Sequence, residues 1–589
     1  PFHWAFAFSN VMQREGGDGG SASGGFDAII TNPPWEVFKP NGKEFFEEYS
    51  DVVTKKSMSI HDFQNEQGKL LRDKELRHAW LDYLSQYPHQ SLWFRNHPDF
   101  AHQTAQANGK KVGSDLNLYK LFTERCHRLL RAGGQCGIVI PSGIYTDLGA
   151  KGLREMLFDR ARIDALFGME NRKGVFEDVH RMFKFVVLTF GRGGSTGTFP
   201  AAFMRHEVSE LEDFPRRGAL PIEVDMVRKL SPDSLSVMEF KGETDVTIAK
   251  KMLRFPLLGE EVEGRWKLKL YREFDMTNDS GLFETSPGKG RLPLYEGKMI
   301  WHFDHRFAEP RYWVTEKRGR ERLIGRGEDT GQTLGYQQYR FGLRAVASNT
   351  NERSLIGSVV PQGHFCGNSI LVDTGESLTP KESLFLTTVA DSMSLDWLLR
   401  QKVTTNINMF YVYQLPVPRL TTGDAGFNDL IERAAKLICT TAAFDDLAAE
   451  IVPGATHATL GVTDLAGRAK LRAEIDGIVA HLYGLTADEF EHVLAAFPIV
   501  DAQVKADALA AYHALIGSEE AKKLNPDLAA APQRAADPDR QVRDLIVAGE
   551  SATVEFKSSA RWDMRQNQQA TYIERIIVKT VAAFLNTKG

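Results

Sequence analysis

Cysteine is scarce in this chain: four in 589 residues, at Cys126, Cys136, Cys366 and Cys439. They are scattered without metal-ligand or disulfide spacing. That argues against a zinc module and a disulfide framework, and a reducing cytoplasm is the simplest setting. The sixteen histidines form no H-E-x-x-H. His302 and His305 lie close together but lack partners at ligand spacing, so they are expected at a surface or in a groove, and no metal site is expected. No uninterrupted apolar run reaches about 18 residues, so no membrane span is expected. Excess positive charge is missing too. The formal net charge is −5, so any nucleic-acid contact must come from a local basic surface. No internal repeat of about 20–50 residues is evident. What is present is the make-up of an ordinary globular protein, 42% hydrophobic and 25% charged, long enough for three or four structural units.

One short stretch carries chemistry. Asn32-Pro33-Pro34-Trp35 follows the apolar run Phe26-Asp27-Ala28-Ile29-Ile30. The exocyclic amine of a nucleobase is a poor nucleophile because its lone pair is delocalised into the ring. An Asn side-chain oxygen and a neighbouring backbone carbonyl can accept its two N–H bonds and draw the lone pair back onto nitrogen. Two prolines fix φ and remove backbone donors, which leaves a stiff loop presenting carbonyls. An aromatic side chain gives a flat base a surface to stack on. A bare NPPW is equally compatible with a strand followed by a Pro-Pro turn.

The surroundings favour the chemical reading. Asp115 to Phe122 opens an amphipathic helix, with Leu118, Leu121, Phe122, Cys126, Leu129 and Leu130 at helical spacing and Gly133-Gly134 as its C-cap. Cys136–Ile140 reads as a buried strand stopped by Pro141-Ser142-Gly143. Lys151–Phe158 reads as a helix, and Ile163–Phe167 and Phe183–Phe190 as strands. This alternation predicts an α/β fold with a parallel sheet, helices on both faces, and NPPW at the carboxyl edge of a strand.

The segments FDAIITNPPW, DLNLYKLF, GGQCGIVIPSG and VFEDVHRMFKFVVLTF resemble the gamma-class amino-methyltransferases of DNA. The likeness is to the large adenine methyltransferases of type IIG restriction–modification and related phage-defence systems. LYEGKMIWHFDHRF, YRFGLRAVASNTNERSLIGSVVP and EIDGIVAHLYGLTADEFEHVL look like the same family's later blocks. The resemblance implies a partial Rossmann-like methyltransferase sheet and transfer of a methyl group from S-adenosylmethionine to the amino group of a flipped adenine in double-stranded DNA. Restriction or defence subunits would be partners. Asn32 and the Pro33 carbonyl would hold the amine, Pro34 would stiffen the corner, and Trp35 would stack on the base. Phe176 matches an aromatic that packs on the base from another side, and it also reads as an ordinary core residue. Flipping costs a few kcal/mol and one stacked aromatic returns about 1–3 kcal/mol, so two aromatics and two hydrogen bonds could offset it. The family's donor-binding Gly-rich turn and acidic residue belong upstream of NPPW. Gly16–Gly20 reads better as a loop, so the chain is expected to be a fragment, inactive alone, with Asp27 at most lining the donor side. The alternative is a DNA-recognition or defence component that keeps the fold without the activity.

Along the chain the expected order is a partial catalytic sheet over 1–200, closed by the turn Gly191–Gly197, and a connecting region over 201–290 with an exposed loop from Asp275 to Lys289. A mixed α+β target-recognition region over 291–420 and a helical region over 421–500 follow. In the helical region Asp464, Arg468, Arg472 and Asp476 mark a polar face. A linker spans 501–540, and 541–589 begins an α+β domain. The run Arg306 to Arg326 is the best DNA-contact candidate: Arg306, Arg311, Lys317, Arg318, Arg320, Arg322 and Arg326 are interleaved with Tyr312 and Trp313. The bland reading is a solvated, charge-mixed face. The tail, with Glu550, Glu555 and Lys557, resembles the opening of an AlbA-type, Schlafen-like domain. It reads either as a nucleic-acid-binding module or as a nuclease whose paired carboxylates would take Mg²⁺.

Overall fold

Six strands build the sheet that carries the Asn32–Trp35 corner. The computed structural model describes residues 3–12, 24–53, 58–104, 106–107, 110–111, 115–347, 351–402, 407–524, 562–563 and 568–569. The strands are β1 (Phe26–Thr31), β2 (Leu130–Pro141), β3 (Ala161–Glu170), β4 (Lys184–Arg192), β5 (Thr198–Arg205) and β6 (Leu220–Glu223), in the order β1-β2-β4-β3-β5-β6.

The sheet is mixed, not parallel as expected. β1–β2 and β3–β5 run parallel, whereas β4 is antiparallel to both β2 and β3, and β6 is antiparallel to β5. The reason is the connection. Residues 171–183 contain no α-helix, so the chain leaving β3 folds straight back beside it, and a parallel neighbour needs a crossover. Nor does the sheet stop near residue 200. Gly191–Gly197 leads into β5, and β5 into β6.

Helix α1 (Lys74–Asn96) lies between the corner and helix α2 (Leu118–Leu129), and α3 (Lys151–Arg160) follows β2. Leu121, Cys126 and Leu130 are buried as the spacing predicts, but Phe122 is turned outward and Tyr119 is buried instead. The C-cap is Leu130, whose N–H donates to the Cys126 carbonyl. Gly133-Gly134 instead lies inside β2, where the β1–β2 register shifts. Gly133 adopts φ 73°, a left-handed backbone that glycine takes without strain.

Two four-stranded sheets follow. Strands β7 (Leu270–Tyr271), β8 (Phe283–Glu284), β9 (Arg291–Tyr295), β10 (Tyr312–Thr315), β11 (Arg340–Arg344), β12 (Gly357–Val360), β13 (Phe365–Cys366) and β14 (Ile370–Asp373) form the orders β8-β10-β9-β13 and β12-β11-β14-β7. α4 (Glu316–Ile324) leaves β10. A helical part contains α5 (Pro380–Ala390), α6 (Met393–Arg400), α7 (Phe427–Ile438), α8 (Leu465–Leu482), α9 (Ala487–Ala495) and α10 (Ala502–Leu515). Residues 1–528 form one unit and 529–589 a second. In the second, the described residues are two short antiparallel strands, Trp562–Asp563 and Gln568–Gln569. Glu550, Glu555 and Lys557 lie outside the described residues.

Candidate active site and nucleic-acid surface

The corner stands at the carboxyl end of β1, an edge strand whose Ile30 side chain is 91% exposed. Pro33 is buried, Asn32 and Pro34 are exposed, and Trp35 is half-buried. The Asn32 carboxamide makes no hydrogen bond among the described residues. Trp35 is held firmly. Its Nε1 donates to the Val139 carbonyl of β2 at 3.2 Å. Its ring stacks on Phe183 and Phe185 at 5.7 and 6.1 Å and meets Phe176 edge-on at 5.0 Å. Trp35 and Phe176 are therefore brought together, but in direct contact with each other and not as two walls around a gap.

The Phe176 loop is stapled from within. The fully buried Asn171 accepts from the Phe176 N–H at 3.0 Å and donates to the Phe176 and Val179 carbonyls. Gly174 turns the loop at φ 73°. Beyond the corner, Phe38 N–H donates to Leu116 O and Leu118 N–H to Glu36 O. The start of α2 is thereby tied to the chain leaving NPPW, which gives the pairing of these two motifs a structural meaning. Lys120 is buried here, and its Nζ donates to Asp115 O. Burial depresses its pKa, opposed by the nearby Asp147. At the same edge Glu239 accepts from Tyr145 Oη at 2.9 Å and Lys184 Nζ at 2.6 Å. The sequence reading missed Asn171, Phe183 and Glu239. A buried Asn before a glycine turn leaves no composition signal, and only the β4 pairing brings Phe183 under Trp35.

Asp27 is the residue expected at most to line the S-adenosylmethionine side. Asp27 stands at the start of β1, five residues before Asn32, in an ion pair with Arg131 at 2.6 Å. It is thus at the far end of the strand from the corner. Gly16–Gly20 lies outside the described residues. Among the described residues no cluster of His, Cys, Asp or Glu could hold a metal ion, and no helix is long and apolar enough to cross a membrane.

The candidate DNA-contacting run is brought together on β10, α4 and their flanks, but most of its charge is already engaged. Arg306 pairs with Glu309, Arg311 with Glu296, Arg320 with Asp329 and Arg322 with Asp279. Arg318 donates to the Gly281 carbonyl. Lys317 and Arg326 have no carboxylate partner among the described residues. The expected exposed loop from Asp275 to Lys289 is anchored through Asp279, which is buried under Arg322.

His302 and His305 are buried, not at a surface. His302 Nε2 donates to the Leu355 carbonyl at 2.9 Å. Burial pushes its pKa well below the ordinary value, and that of His305 down to about 4, so both are neutral at pH 7. The polar face of α8 is likewise mostly covered. Asp476 is buried and accepts from Met393 N–H at 2.7 Å, and Arg468 donates to the carbonyls of Leu437, Val462 and Phe303.

The model of a family described as Eco57I restriction-modification methylase matches residues 93–176. That stretch runs from α1 through α2 and β2 to Phe176. No curated protein matches the chain. Among solved structures, a type IIL restriction-modification enzyme, MmeI, in complex with DNA is 12% identical with TM-score 0.32, covering 68% of this chain and 52% of that one. The type IIG restriction endonuclease BpuSI is 12% identical with TM-score 0.26, covering 72% of this chain and 51% of that one. A modification subunit of a putative type I restriction enzyme from Vibrio vulnificus YJ016 is 16% identical with TM-score 0.17, covering 19% of this chain and 28% of that one. The chain thus spans about half the length of the first two and less of the third.

Proposed function

We propose that this chain carries the base-holding part of a DNA adenine methyltransferase of a restriction–modification or phage-defence system, with S-adenosylmethionine as the methyl donor. The observation that carries the reading is the corner itself: an exposed Asn32 carboxamide with no hydrogen-bond partner among the described residues, set beside an indole locked by one hydrogen bond and three aromatic neighbours. A polar side chain placed on a stiff loop and left unbonded is available to a ligand. The methylase-family match over 93–176 supports the same reading, because that stretch includes the helix start tied to the corner.

The work of this chain's residues is orientation. Asn32 Oδ1 and the Pro33 carbonyl accept the two amine N–H bonds of an extruded adenine and raise electron density on its nitrogen. The exposed part of Trp35 takes the base face. Phe176 braces Trp35 from the side, since the two touch. No step involving the donor is derived from the described residues. In the intact protein supplied with S-adenosylmethionine, Asn32→Ala should lower methyl transfer by on the order of a hundredfold or more. DNA binding should fall far less, because the side chain acts on the reacting nitrogen and not on phosphates. Retained transfer in that variant would remove Asn32 from the mechanism.

A second reading, a recognition or defence component without transfer activity, is favoured by the position of Asp27 at the wrong end of β1 for a donor site. Absence of any transfer by the intact protein would select it.

A further inference from the structure

The basic run contains several arginines, and the structure separates them by what each guanidinium is already doing. Arg320 is only 15% exposed and is saturated: it donates to both Asp329 oxygens and the Gln332 carbonyl. Arg322 is gripped by both Asp279 oxygens through Nε and Nη2, and the Asp275 charge also acts on it. Arg306 is tied through Nε and Nη2 to a single oxygen of Glu309, which is itself 71% exposed and offers no rigid anchor.

Arg311 shares with Arg322 the two-point grip of a buried carboxylate, and differs in the ring and the second cation beside it. It immediately precedes β10, and Glu296 immediately follows β9, so the antiparallel pairing of Leu294 with Tyr312 sets the two side chains at the mouth of the 296–311 connection. Arg311 Nε and Nη2 donate to Glu296 Oε2 and Oε1 at 2.7 and 2.8 Å. Glu296 is 11% exposed while Arg311 is 55% exposed, so the anchor is inside and the cation outside. The guanidinium also lies over the Tyr312 ring at 4.8 Å, which sets its plane. Lys298 Nζ approaches the same Glu296 at 3.9 Å, so two cations share one carboxylate and the spot keeps a net positive charge.

A guanidinium has five N–H donors in a fixed fork. Glu296 takes two, on Nε and Nη2. The remaining Nη1 and Nη2 donors form a second, parallel pair with no partner among the described residues. A parallel pair of donors on a cation held in one orientation matches the O6 and N7 acceptors that guanine presents in the major groove. A phosphate can take the same fork, but only a base contact leaves a mark on the sequence recognised.

We infer that Arg311, oriented by Glu296 and Tyr312, reads a guanine in the recognised DNA sequence. This rests on the proposed DNA-methyltransferase reading. It goes beyond it by assigning one residue a base, and by leaving Arg320 as an internal brace.

The test is selection from a randomised double-stranded DNA pool by the 589-residue chain, by Arg311→Lys and by Glu296→Gln, with the thermal midpoint of each protein measured alongside. Lysine keeps the charge and loses the fork. The wild type should enrich a defined word containing guanine. Arg311→Lys should lose the preference for guanine at one position by on the order of ten- to a hundredfold, with other positions and the thermal midpoint unchanged. Glu296→Gln should weaken the same position and no other. An unchanged word in Arg311→Lys would overturn the assignment, as would uniform weakening at all positions or a loss confined to thermal stability. If the wild type enriches no word at all, the DNA-recognition reading itself fails and takes this assignment with it.

Discussion

The Asn32–Trp35 corner and the junction between the strand-rich and helical parts use polar residues in opposite ways. At the corner, Asn32 is exposed and unbonded, and the aromatic residues around Trp35 supply rigidity. At the junction, charged side chains are buried and their hydrogen-bonding groups largely engaged. Asp396 is fully buried and accepts from Arg353 Nε at 2.8 Å and from the backbone N–H groups of Ser354 and Leu355. Arg353 also donates to the Asp391 carbonyl, and Asp391 Oδ1 and Oδ2 accept from the Gly357 and Phe303 N–H groups. Deeper in the strand-rich part, Arg340 pairs with Glu273, which also accepts from Tyr271 Oη and Cys366 N–H. That set ties β7 and β11 of one small sheet to β13 of the other. An exposed polar group left unbonded on a stiff loop is available to a ligand, whereas buried polar groups with most of their partners present belong to a scaffold, even where one nitrogen such as Arg340 Nε is left over.

That contrast can be broken in graded steps. The largest effect on stability is expected from Asp396→Ala. It strands the Arg353 cation in a buried place and removes two backbone acceptances, so it should cost about 3–5 kcal/mol, read as a large drop in thermal midpoint or a loss of folded protein. A drop no larger than that of a surface substitution would show that the junction is wetter than the structure has it.

Asp476 tests the same region by pH. Burial raises its carboxyl to about 6, with Arg353 opposing, against about 3.9 in an unfolded chain. An acid raised by folding holds its proton more tightly in the folded state. Its cost is therefore absent below about pH 4, grows as pH rises through about 6, and then levels off at about 3 kcal/mol. Asp476→Asn should be more stable than the wild type at pH 7 and close to it near pH 4. Parallel pH–stability curves for the two proteins would sink this account.

At the corner, Trp35→Ala should destabilise by about 2 kcal/mol, less than a fully buried tryptophan because part of the residue stays open to water. Trp35→Phe should recover most of that without the Val139 hydrogen bond. The smallest effect on folding belongs to Asn32→Ala, within about 0.5 kcal/mol, in the same variant that should lose methyl transfer. If Asn32→Ala instead unfolds the protein, the carboxamide has an internal role and the contrast disappears.

How much of this was legible beforehand follows the range of the interactions. The α2 periodicity, the Cys136–Ile140 strand and the NPPW corner depend on neighbours a few residues apart, and they appear at or near the places their spacing predicts. The direction of β4 does not. Phe183–Phe190 reads as an apolar strand in either orientation, and only the helix-free return from β3 makes it antiparallel. Charge was the least legible quantity. Asp464, Arg468, Arg472 and Asp476 sit at helical spacing that looks like a wet face, and His302 and His305 look like surface residues. Burial of a charge depends on whether a partner arrives from elsewhere in the chain, as Met393 does for Asp476 and Leu355 for His302. Arg306 to Arg326 shows the same limit. Its positive charge is plain in the sequence, and its neutralisation by Glu296, Asp279, Asp329 and Glu309 is visible only after folding.

The order of letters alone placed a diproline corner after a strand, the helix that begins near Leu118 and the strands around Cys136–Ile140, Ile163–Phe167 and Phe183–Phe190, because steric and periodic preferences act over a few bonds. Tertiary structure decided the direction of the strands, the aromatic seat of Trp35 and which arginines remain available. Each of those depends on groups far apart in the chain meeting in space, and local preference carries no information about which of them will meet.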